Sequence, residues 1–215
     1  MKPLKTELQD AETLRDLGRA SVQIVHDLKN QLNGLKLYAT FLRKRMEKSE
    51  RPADELETMA KLISGLERAA ADMTVLVRYG RALELRRQPG TDLARLLADS
   101  SDGALVEADG DTYEGDFDPV LLGEALKSIT AGAGAGASNG GGEVSAPLKL
   151  RREGAAAVVE WPGAAGMGAD EDPFRGLAGA QGLRMALAAK IIRAHGGEVG
   201  REGTVLRARL PLQEV

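Results

Sequence analysis

The residues best placed to do chemistry lie in SVQIVHDLKNQLNGL, positions 21–35. His26, one of two histidines in the chain, has Asp27 beside it and Asn30 and Asn33 further on. In a helix, the i+4 and i+7 spacings put both asparagines on the face of the imidazole. A neutral imidazole is a good nucleophile at physiological pH. An adjacent carboxylate can hold the far ring nitrogen, or accept its proton, while the near one attacks an electrophile. An amide one turn on can orient a water or a phosphoryl oxygen. The pattern therefore supports covalent capture of an electrophile on His26, helped by Asp27 and Asn30. An isolated His-Asp pair on a surface usually means nothing, so the scaffold decides.

That scaffold reads as helical. Residues 10–47 carry a heptad stripe: Val25, Leu32, Ala39 and Met46 in one seam position, Leu14, Leu28, Leu35 and Leu42 in the other, broken at Ser21. Val22, Ile24 and Tyr38 widen the stripe beyond a two-stranded seam. On this register Val25 and Leu28 point inward, and His26 falls just off the seam, accessible to solvent. A turn follows at KSERPAD, where Pro52 suits the opening of a helix. Leu56, Met59, Ile63, Leu66, Ala70, Met73 and Val77 repeat the pattern towards a helix end near Gly80. A single hairpin would leave much of this apolar face in water, at about 25 cal/mol per Å². Two hairpins are expected to pair as a homodimeric four-helix bundle.

The character changes after residue 86. RRQPGTD reads as a linker with a turn, and Thr91 or Asp92 can cap a helix through LARLLAD. ALVEAD reads as a strand, DPVLLGEALKSITAG as a helix, and EVSAPLKLRREGAAAVVEW as two strands around a turn. QGLRMALAAKIIRAH reads as a helix stopped by Gly196 and Gly197, and GTVLRARLPL as a closing strand. Helices interleaved with adjacent strand pairs predict an α/β sandwich with helices on one face. AGAGAGASNGGGE, 131–143, reads as a loop, because a phosphate-cradling glycine segment needs a strand before it and a helix after it. The fold class is thus α+β in two domains, a hairpin over 1–86 and a mixed domain over 87–215.

HDLKNQL on such a hairpin resembles the phosphoacceptor motif of sensor histidine kinases, matching at His26, Asp27, Asn30 and Leu32. It departs at Gln31, where that family usually has proline, so no kink is expected there. Residues 90–215 look like the family's Bergerat-type ATPase domain along most of their length. The resemblance implies that His26 is phosphorylated, that Asp27 is its acid–base partner, and that Asn30 supports dephosphorylation of a response regulator.

The nucleotide positions depart from the family. Its magnesium-binding Asn falls on Gly132, and the companion Asn on Ser128. Its adenine-binding Asp falls on Trp161, Pro162 or Ala164, although Asp170 and Asp172 follow. The glycine-leucine loop has become AQGLRM, which keeps Gly182 but has Arg184 and Met185 in place of Gly and Leu. Magnesium needs hard oxygen ligands, which a glycine side chain cannot give. Losing it should cripple phosphoryl transfer from ATP. His195 sits at the family's helix-ending His-Gly-Gly and is expected to be structural, favoured there by the helix dipole.

Three readings follow. The first is a histidine phosphotransferase with a degenerate ATP site, passing phosphoryl groups on His26 between response-regulator receiver domains, with magnesium brought by the regulator and no cofactor of its own. The second is a divergent ATP-dependent sensor histidine kinase. The third is a non-catalytic dimeric adaptor. A net charge of −3 gives no broad basic surface for nucleic acid. With no cysteine, disulfides and thiolate chemistry are excluded, which fits a reducing compartment. No apolar run reaches membrane-spanning length, so a cytoplasmic protein off the membrane is expected.

Overall fold

A computed structural model describes residues 3–47, 53–101, 103–110, 112–134, 147–162, 172–177 and 179–213. Within the first helix, side chains are described at Ser21 and from Val25 onward. The chain divides into two compact units, 1–82 and 83–215.

The first unit is a helical hairpin of α1, Pro3–Glu47, and α2, Ala53–Gly80. α1 runs unbroken through Gln31, as the absence of a proline there predicts. Ala39, Ile63 and Val77 are buried between the helices, and Val25, Leu32 and Met46 are half-buried. Lys36 Nζ meets Glu67 Oε1 at 2.8 Å across the pair. The other seam row, Leu28, Leu35 and Leu42, stays open, each between 41% and 54% exposed. Pro52 and the side chains of Leu14, Val22 and Ile24 lie outside the described residues.

The second unit is the expected sandwich. Its main sheet has the order β2 (Val106–Ala108), β4 (Leu148–Glu153), β5 (Ala156–Pro162), β7 (Val205–Pro211), β6 (Glu198–Glu202). β2 and β4 are parallel, and every other pairing is antiparallel. One row of the pleat is apolar and buried: Leu148 and Leu150, then Ala157, Val159 and Trp161, then Leu206, Ala208 and Leu210. Leu93 and Leu97 of α3 (Leu93–Ser100), Leu122, Leu126 and Ile129 of α4 (Pro119–Gly134), and Ile191 and Ile192 of α5 (Gly179–Ala194) complete that core. The opposite row is mostly polar, though Ala156 and Val158 on β5 are buried in it; Glu160 accepts from Arg151 at 2.5 Å and from Arg207 at 2.7 Å across three strands.

Two expectations are corrected. RRQPGTD is no simple linker: Gln88–Asp92 forms β1, paired antiparallel with β3, Glu114–Phe117. Gly90, at φ +69, sits where the register shifts, so a bulge absorbs the Pro-Gly turn that suggested a break. AGAGAGASNGGGE does not begin as a loop either, because α4 continues to Gly134. β3 and β6 also escaped the sequence reading. Asp92 caps α3 as expected, its Oδ1 accepting from Ala94 N at 2.9 Å.

Candidate functional site

His26 sits mid-helix on α1, its side chain 45% exposed, so a partner can reach it. Its Nδ1 lies 3.5 Å from Asp27 Oδ1 and 3.4 Å from Asn30 Nδ2. These contacts compete. Donation of Nδ1–H to Asp27 leaves Nε2 with its lone pair free, the nucleophilic tautomer. Acceptance at Nδ1 from Asn30 puts the proton on Nε2 and silences it. Asp27 and Asn30 therefore favour opposite states of one ring, and neither contact uses Nε2.

The face of His26 continues down α1 through Asn30, Asn33, Leu37 and Phe41 at i+4, i+7, i+11 and i+15. Leu37 and Phe41 are 69% and 68% exposed. Large apolar side chains that open, aligned with a nucleophile, suit the docking of another protein. The sequence reading had not singled them out, although the i+4, i+7 rule that grouped the asparagines reaches them too.

In the second unit, the positions aligned with a nucleotide site can be tested for fit to magnesium–ATP. Gly132 is buried on α4, and a Cβ built there would stand 2.6 Å from Met185 Sδ and 2.7 Å from Gln181 Nε2, both on α5. Both are the far ends of flexible side chains, which a larger residue at 132 would have to push aside; glycine itself offers no side-chain oxygen to a metal. Gln181 Nε2 is itself buried without a hydrogen-bond partner among the described residues. Ser128 Oγ donates to Glu124 O of its own helix at 2.9 Å. Trp161 is fully buried and its Nε1 donates to Thr130 Oγ1 at 2.9 Å. Asp172 is spent on a local turn, accepting from Phe174 N and pairing with Arg175. At Gly182 a Cβ would stand 2.9 Å from Gly176 O, and Arg184 is exposed on α5. Ala164 and Asp170 lie outside the described residues. The residues that are described do not fit the group.

His195 is structural, but the expected reason is wrong. It is wholly buried, and it accepts from Asp118 N at Nε2 (3.0 Å) while Nδ1–H donates to Ile191 O (2.8 Å). Burial lowers its pKa below the ordinary value, so it is a neutral bridge and not a cation on the helix dipole. Asp118 in turn caps α4, taking Val120 N and Leu121 N on Oδ1, and holds Arg86 N on Oδ2. Burial would raise the Asp118 pKa, but those three backbone donors outweigh it and the pKa falls.

No protein-family model matches the chain, and no curated protein does. Solved structures do. Full-length ShkA, solved in complex with AMPPNP, superposes with a TM-score of 0.62 at 16% identity, over 90% of this chain and 45% of that one. The histidine kinase AdeS of Acinetobacter baumannii gives 0.51 at 18% identity, over 83% of this chain and 96% of that one. The chain thus spans about half the length of ShkA. The fold, helical hairpin followed by ATPase-type sandwich, is that of the histidine kinases.

Proposed function

We propose that the protein is a histidine phosphotransferase of two-component signalling, carrying a phosphoryl group on His26 to and from receiver-domain aspartates. The observation that carries this reading is a contrast. His26 keeps a side chain that is 45% exposed, with Asp27 and Asn30 both on its Nδ1, while the position aligned with the magnesium ligand is Gly132, which has no side-chain oxygen.

In the transfer, Nε2 attacks the phosphorus of a receiver's aspartyl phosphate. A P–N bond forms as the acyl P–O bond breaks, and the aspartate leaves as a carboxylate. The ring keeps its Nδ1 proton, and the Asp27 carboxylate balances the charge gained. The reverse step returns the phosphoryl group to another receiver. The donor is already an activated acyl phosphate, so no nucleotide enters, and the receiver supplies the magnesium. Leu37 and Phe41 are the apolar contacts on which a receiver docks. Two hairpins pair through the Leu28, Leu35 and Leu42 row, making the working unit a homodimer.

The test uses two label sources. Radiolabelled ATP with the protein alone is expected to leave no label on the chain. A receiver carrying labelled phosphate is expected to label the wild type and not His26→Ala. Label on His26→Ala, or none on the wild type, defeats the reading. Label from ATP would identify a kinase instead.

A further inference from the structure

We infer that the buried His195 is a proton-operated latch on the segment leading from the first unit into the second: the neutral ring keeps Arg86 and Arg87 seated on the second unit, and a protonated ring lets them go. The inference goes beyond the phosphotransferase reading and does not depend on it.

Three contacts seat the segment between α2 and β1. Arg86 N–H donates to Asp118 Oδ2 at 2.8 Å, the Arg87 guanidinium donates to Ala194 O at 3.0 Å, and the same guanidinium lies 3.8 Å from Asp116 Oδ2. The receiving groups come from two places, the corner between β3 and α4 and the last residue of α5. His195 joins those two places. Its Nε2 accepts from Asp118 N at 3.0 Å, its Nδ1–H donates to Ile191 O at 2.8 Å, and the Phe117 ring lies beside it with centroids 6.0 Å apart. The side chain has no exposed surface, so both nitrogens depend on the chain for their partners.

A second proton would go on Nε2, the nitrogen that accepts. That turns an acceptor into a donor aimed at another donor, the Asp118 N–H, and places a charge where water does not reach. Asp116 and Asp118, from the β3–α4 corner, favour that charge, Arg87, from the joining segment, opposes it, and α5 contributes the Ile191 carbonyl. Asp118 Oδ1 holds Val120 N and Leu121 N, whereas Oδ2 holds Arg86 N alone. Turning Oδ2 to the imidazolium therefore breaks one bond and turning Oδ1 breaks two, so Arg86 is the contact given up. The seated Arg87 disfavours a proton on His195, so a proton there disfavours the seated Arg87 by the same free energy. Release frees Arg86 and Arg87, about 7 Å of added reach, while β1 stays paired at Gln88.

The chain has two histidines and no cysteine, so each reporter can be placed singly in the full-length protein. A spin label on Glu84→Cys reads the segment. The NMR signal of the His195 ring Cε1–H, told from that of His26 by His26→Gln, reads the proton. As pH is lowered from about 7.5 to 5, His195 should titrate below its ordinary 6.5. The label should loosen with the same midpoint while the far-UV circular dichroism holds. Arg87→Ala should move the His195 midpoint up and leave the label loose already at the upper pH. His195→Gln should keep the label ordered throughout. A label that stays ordered while His195 titrates overturns the inference, as does a ring that takes no proton in this range. So does a loosening that persists in His195→Gln, or a His195 midpoint that Arg87→Ala leaves in place. Circular dichroism lost at that midpoint overturns it too, since the proton would then unfold the unit and not release the segment. If His195→Gln does not fold, the Arg87→Ala shift decides the matter. None of these outcomes touches transfer from a receiver to His26, so the two readings fail separately.

Discussion

At the scale of single residues, the two histidines divide the protein's chemistry. His26 is half open, with a carboxylate and an amide contending for Nδ1. Removing the carboxylate by Asp27→Asn should slow capture from a receiver by about 100-fold, the lower end of what acid–base partners contribute. Timed label transfer measures this, and an unchanged rate would leave Asp27 idle. His195 is closed and neutral. Burial, with the Arg87 charge, holds its pKa below 6.5, against the Ile191 carbonyl and the Asp118 and Asp116 carboxylates. The unfolded chain binds a proton near pH 6.5 while the folded one resists it, so His195 contributes stability above that pH and loses it as pH falls. Urea midpoints should therefore drop between about pH 7.5 and 5.5 in the wild type. They should drop less in His195→Gln, whose amide can both donate and accept. His26 was legible because its company lies within five residues. The bridge from His195 to Asp118 spans 77 residues, and no local pattern announces it.

At the scale of elements, the stretches with a strong period were legible and the short polar strands were not. α1, α2 and α4 each carry an apolar stripe longer than two turns, and α5 is apolar nearly all round, buried at Met185 through Ala189 without a break. β3 and β6 read EGDF and EVGRE, each with one glycine and at least two charges. β3 holds its place by pairing with the distant β1, and β6 by folding back on β7 through a turn at Gly203, not by propensity. Caps were readable because a capping side chain acts two or three residues away. Asp92→Ala should cost about 1 kcal/mol of unfolding free energy in the second unit. Asp118→Ala should cost about twice that, since the carboxylate also holds Arg86 N. Equal costs in urea titrations would mean that the Arg86 contact contributes nothing.

For the whole molecule, the family resemblance was legible in a handful of residues, HDLKNQL and the His-Gly-Gly turn, and the superpositions bear out the fold at under 20% identity. The missing carboxylate and asparagine were legible as well. That Met185 and Gln181 lie against Gly132 was not, because it depends on how closely α4 and α5 approach. The open Leu28, Leu35 and Leu42 row belongs to this scale. Burying each leucine against a second hairpin is worth about 1.5–3 kcal/mol. Leu35→Asp with Leu42→Asp should therefore shift the protein from dimer to monomer in sedimentation. A wild type that sediments as a monomer would remove the bundle from the account.

The central claim, that His26 relays phosphoryl groups between carboxylates, is tested most directly with two receiver domains, one loaded with labelled phosphate and one empty. With catalytic amounts of the wild-type protein, label should leave the first receiver and appear on the second. With His26→Gln in its place, the first receiver should lose label only at its own rate and the second should stay dark. Equal transfer by the two proteins would contradict the account.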